Sequence, residues 1–167
     1  MPQIYLARFR QRPFGVASAH WALFLPKSFD PNGCPLQGAL FHARKEWNNS
    51  QGSQPCTIQG KANYGLEPDF LLLSSPSLLD SHCLKDTEVT PAQMSQACTY
   101  ISQDRSFNLI TRNCQEWVKD VIDYLVAHGV ITDAVYGEMD ARGYKTLKEE
   151  SVDKSLSMCA RSRRGRS

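Results

Sequence analysis

Apolar and polar positions change their spacing halfway along the chain. In the first half they alternate or run together. Tyr5, Ala7 and Phe9 are interleaved with Leu6 and Arg8, which suits a strand or an extended lead-in. His20-Trp-Ala-Leu-Phe-Leu is apolar on both sides and stops at Pro26, the pattern of a buried strand. Residues 26–38 hold three prolines and two glycines and predict a loop. Ala39-Leu-Phe-His-Ala43 then reads as the hairpin partner of 20–25. Residues 46–54 are polar and loop-like, and short strands are expected near 56–58 and 70–73.

The second half moves to the helical period. Thr90 is an N-cap residue, Pro91 fits the first helical position, and Gln93 stands three residues after the cap. Met94, Ala97, Cys98 and Ile101 follow at helical spacing. Phe107-Asn-Leu-Ile110 is a short extended piece. Asn113 reads as a second N-cap. Cys114, Trp117, Val118, Val121, Ile122, Leu125 and Val126 then form the strongest stripe in the chain, a helix over 114–127 ended near Gly129. The fold class is therefore α+β, with an antiparallel sheet packed against helices. Residues 1–140 read as one domain, and 141–167 as a polar C-terminal extension with a disordered basic end.

Composition narrows the classes. The 167 residues are 41% hydrophobic and 22% charged, enough to bury a core without staples. No apolar run approaches the length of a membrane span, and residues 1–15 lack the continuous apolar stretch of a secretory signal. The net charge of +2 comes from four arginines in the last seven residues. Without them 15 basic side chains face 17 acidic ones, so no nucleic-acid surface is expected. The six cysteines stand at 34, 56, 83, 98, 114 and 159, too far apart in sequence for a CxxC zinc or redox motif. The expectation is a soluble cytoplasmic protein with free thiols, no metal and no organic cofactor.

One cysteine stands out. Cys114 opens the best helix in the chain, where free N–H groups and a partial positive charge favour a thiolate. A nucleophile of this kind needs a base from elsewhere. His20 opens the apolar strand at 20–25 and His42 closes the next one. If the two strands pair, both imidazoles can face the same side, one as base and one to orient it. Each residue also has a plain reading, since a cysteine on an apolar helix face is commonly a small core hydrophobe. His128 beside Gly129 is most simply a helix cap.

Three short words together change the balance. His20-Trp-Ala-Leu-Phe-Leu, Gly38-Ala-Leu-Phe-His42-Ala, and Phe107-Asn-Leu-Ile-Thr-Arg-Asn-Cys114-Gln-Glu-Trp-Val resemble the lecithin retinol acyltransferase-like family. That group, with its H-Ras-like suppressor acyltransferases, is a circularly permuted branch of the papain-like, NlpC-type cysteine hydrolases. The resemblance spans about residues 18–127. It implies Cys114 as nucleophile, His20 as base and His42 as the second polar member. Asn113 would support the site, and Trp21, Gln115 and Trp117 would line the substrate pocket. The spacing between the histidines is longer than in the animal acyltransferases, and no hydrophobic C-terminal anchor is present.

The function expected from these residues is thiol-dependent acyl hydrolysis or transfer on a small-molecule or acyl substrate, through a Cys114 thioester. Two other classes fit the same words: a peptidase or isopeptidase of the same permuted fold, and a binding module that has kept the fold without the chemistry.

Overall fold

The apolar run at 20–25 becomes the centre of an antiparallel sheet. In the computed structural model, which describes residues 1–10, 19–45, 59–108 and 113–154, six strands and, up to Ala141, three α-helices are laid out along the chain. The strands are β1 (Gln3–Phe9), β2 (His20–Phe29), β3 (Pro35–Lys45), β4 (Gln59–Leu71), β5 (Leu78–Glu88) and β6 (Ser106–Asn108). The helices are α1 (Pro91–Ser102), α2 (Cys114–Ala127) and α3 (Ala134–Ala141). The strand order is β5-β1-β2-β3-β4-β6, and every pairing is antiparallel.

The predicted loop at 26–38 is mostly strand. β2 runs on through Pro26 to Phe29, and β3 already starts at Pro35. Pro26 has no N–H to give, and it sits where the β2–β3 register shifts, so it costs the ladder little. It pairs with Gly38, where the strands come so close that a Cβ would run into the Leu25 carbonyl oxygen. The true turn is short. Asp30 Oδ1 accepts from the N–H groups of Asn32 (2.9 Å) and Cys34 (2.8 Å), and Gly33 takes φ +80°.

Strand alternation builds two apolar layers. Ile4, Leu6, Trp21, Leu23, Leu25, Ala39, Phe41 and Ala43 face the helices and form the main core with the stripe of α2. Ala7, Phe9, Ala22, Phe24 and Leu40 face the other way. After β4 the chain must cross from one side of the meander to the other to reach β5 beyond β1. One 3₁₀ turn at Leu72–Ser74 lies on that crossing, and fully buried Leu72 covers the second layer.

β2 and β3 separate at one end. Their ladder runs from Phe29↔Pro35 to Leu23↔Phe41 and stops there. β1–β2 pairing continues to Phe9↔His20, and β3–β4 pairing to Lys45↔Ala62. The two strand ends carrying His20 and His42 are thus each held by an outer neighbour, and α2 packs against both.

Both predicted helices form. Thr90 and Gln93 make a reciprocal capping box at α1. His128 closes α2 as its C-cap, with Nδ1 2.8 Å from the Tyr124 carbonyl. The polar extension is more ordered than its composition implies. Residues 147–154 are helical, and Tyr144 and Thr146 are buried against the domain. The loop expected at 46–54, the strand near 56–58, the end of the piece at 107–110 and the basic end lie outside the described residues. No helix among the described residues is long and apolar enough to cross a membrane.

Candidate active site

The cap fixes where Cys114 sits. Asn113 is in extended conformation, and its Oδ1 accepts from the N–H groups of Gln115 (2.9 Å) and Glu116 (3.2 Å). That holds α2 with its first residue against the start of β2. Gln115 adds a second tie there, Nε2 donating to the Ala19 carbonyl at 3.0 Å. Cys114 is only 6% exposed. Burial is the largest influence on its thiol and pushes the pKa up to about 11; the backbone N–H groups of Trp21, Cys114 and Gln115 face the sulfur and pull it partly back. The resting group is therefore a thiol, not the preformed thiolate that a helix N-terminus alone predicts.

The two histidines meet as expected. His20 Nε2 lies 3.1 Å from His42 Nδ1, with the rings edge to face. The far nitrogen of His42, Nε2, lies 3.2 Å from Glu67 Oε1 on β4. His42 is buried, whereas the Glu67 side chain is 40% exposed. This row has a direction. A carboxylate only accepts, so a neutral His42 carries its proton on Nε2 and offers the Nδ1 lone pair. A neutral His20 then donates from Nε2 and keeps its own lone pair on Nδ1. Trp21, whose N–H faces the Cys114 sulfur, is the residue after His20. The thiol thus lies by the backbone at the start of β2, the strand end that also carries His20 and, through it, the row of side chains.

Three residues expected to line a substrate pocket are in the interior instead. Trp21 and Trp117 belong to the main core, and Trp117 Nε1 donates to Ser102 Oγ at 2.9 Å. Gln115 is buried with both ends of its amide used, Oε1 accepting from the Leu147 N–H at 2.9 Å. All three carry the frame of the site. They are large or bidentate groups on inward-facing positions, where packing claims them first.

Glu67 was not visible in the sequence. It lies in a strand where apolar residues alternate poorly, and a half-exposed carboxylate there looks like any solvated one. Gly65 is the accompanying signal. It pairs with His42, and a Cβ on it would come within 3.0 Å of His42 Nε2. Among the described residues no cluster of three or more His, Cys, Asp or Glu side chains is placed to hold a metal.

A family model described as a family of unknown function (DUF6540) matches residues 4–132. That span includes His20, His42, Glu67 and Cys114 and ends before α3. No curated protein matches the chain. No solved structure matches it.

Proposed function

The chain belongs to DUF6540, a family of unknown function, and for this member we propose thiol-dependent acyl transfer, as a hydrolase or acyltransferase working through a Cys114 thioester. The observation that carries the reading is the directed row Glu67–His42–His20, which ends at the residue before Trp21, whose backbone N–H faces the Cys114 sulfur. A core cysteine needs no such row next to it. The order of base strand before nucleophile helix, with α2 set at the parted ends of β2 and β3, supports reading the α+β fold as a circularly permuted papain-like one.

The chemistry follows from the protonation states. His20 Nδ1 takes the thiol proton as the sulfur attacks the acyl carbonyl, so proton and nucleophile move together. The N–H groups of Gln115 and Glu116 are held by Asn113. The N–H groups of Cys114 and Trp21, which face the sulfur, are then the donors offered to the oxyanion. The leaving group takes the proton back from His20 as the carbon–heteroatom bond breaks. Water or an acceptor alcohol or amine, deprotonated by the same nitrogen, then cleaves the thioester and restores the thiol.

The test is acylation with p-nitrophenyl acetate, read by intact mass and peptide mapping. Wild type acetylates at Cys114 with a burst of p-nitrophenolate, and Cys114→Ala gives none. His20→Ala slows the burst by roughly 10²- to 10⁴-fold, the usual worth of a positioned base. Acetylation confined to exposed Cys34, with Cys114 untouched, would sink the reading.

A further inference from the structure

Glu67 belongs to neither histidine strand, yet its carboxylate sits 3.2 Å from the outer nitrogen of buried His42. Two local features make that contact. Leu40↔Glu67 and His42↔Gly65 are successive same-face pairs of the β3–β4 ladder, so Glu67 lies diagonal to His42 on one face. Gly65, directly opposite His42, has no side chain to fill the space above the ring, where a Cβ would stand 3.0 Å from Nε2.

We propose that Glu67 is a positioning residue that sets the tautomer of both imidazoles, and through them which nitrogen of His20 is the base. The inference rests on the acyl-transfer reading for its purpose, though not for its test. Without the carboxylate, His42 can carry its proton on either nitrogen. When the proton sits on Nδ1, His42 no longer accepts from His20 Nε2. Neutral His20 can then hold its proton on Nδ1, the nitrogen the reaction needs bare. Glu67 touches no reacting atom; it acts at two removes, as the carboxylate of a Ser-His-Asp triad acts at one.

The experiment uses the full chain labelled with ¹⁵N-histidine, and long-range ¹H–¹⁵N correlation spectra that report which ring nitrogen carries hydrogen. In wild type at neutral pH both His20 and His42 show the Nε2–H pattern. In Glu67→Ala His42 changes to a mixed or Nδ1–H pattern, and His20 follows. Glu67→Gln can still accept through Oε1 and keeps the wild-type pattern in the larger share of molecules. Gly65→Ala crowds Nε2 and moves His42 as Glu67→Ala does. Glu67 is 40% exposed on a strand, and backbone amide spectra confirm that each variant stays folded. Unchanged histidine patterns in Glu67→Ala would overturn the proposal. Acetylation of Cys114 by p-nitrophenyl acetate is read in parallel and falls by about 10- to 100-fold in Glu67→Ala. A tautomer change in a protein whose wild-type Cys114 never acetylates would uphold Glu67 as the orienting group and remove the acyl-transfer reading.

Discussion

Burial decides the state of Cys114. Its pKa is pushed from 9.0 up to about 11, which has consequences for both reactivity and stability. Iodoacetamide at pH 8 should strike exposed Cys34 well before Cys114. The Cys114 rate should keep climbing toward pH 11. A plateau at mildly acidic pH would reveal a standing thiolate–imidazolium pair instead and overturn the protonated resting state. The stability effect has a definite sign. The unfolded chain releases this proton near pH 9, and the folded chain holds it to about 11. Burying the neutral thiol is thus fully favourable below pH 9, and that contribution is lost between about 9 and about 11. The difference amounts to roughly 2–3 kcal/mol. Urea midpoints of wild type should fall more steeply across that window than those of Cys114→Ala. Cys98, whose thiol is raised still further by burial, is common to both proteins and cancels.

Elements were legible in proportion to how much each one buries. α2 puts seven of its residues into the interior, and its stripe gave its bounds to the residue. β2 likewise has six buried residues in a row. β5 is an edge strand with only Leu84 and Thr87 buried, so its sequence carries no alternation and it was not foreseen. α3 buries only Val135 and Met139 and was missed for the same reason. Glycines supply a check at this scale, because Gly38 and Gly137 meet opposite surroundings. A Cβ at Gly38 runs into the Leu25 carbonyl and the Phe24 ring, whereas one on Gly137, in α3, meets nothing within 4 Å. Gly38→Ala should cost about 2–3 kcal/mol or more by forcing the hairpin apart. Gly137→Ala should stabilise by about 0.5–1 kcal/mol through helix propensity and a less free unfolded chain. Urea denaturation of the two variants measures both signs, and equal effects would mean that the close approach at Gly38 is relieved by a small strand shift.

At the scale of the molecule, the segment beyond the family match is part of the structure that holds the site. Tyr144 packs edge-on against Trp21 at 5.6 Å, lies 5.8 Å from the His82 ring, and has the Arg8 guanidinium over its face at 5.0 Å. Arg8 is itself tied to Asp80 on β5. Three residues on, the Leu147 N–H bonds Gln115, and Glu149 pairs with Lys119. One short stretch therefore touches β1, β2, β5 and α2, and on β2 and α2 its contacts include Trp21 and Gln115, the residues following His20 and Cys114. The ring and the hydroxyl of Tyr144 separate cleanly. The ring is buried among aromatic and cationic neighbours, whereas the hydroxyl is buried without a hydrogen-bond partner. It stays protonated, because burial and Asp80 push its pKa up to about 12. Tyr144→Phe should then be neutral or stabilising by up to about 1 kcal/mol, since it deletes an unsatisfied polar group. Tyr144→Ala should lose about 3–5 kcal/mol through the cavity beside Trp21. Denaturation followed by tryptophan fluorescence reads both variants. If Tyr144→Phe cost as much as Tyr144→Ala, the hydroxyl would hold an essential bond and the ring would not be the tether. If Tyr144→Ala were nearly neutral while p-nitrophenyl acetate still labelled Cys114 at the wild-type rate, the extension would be a surface addition, and the parted ends of β2 and β3 would hold the site without it.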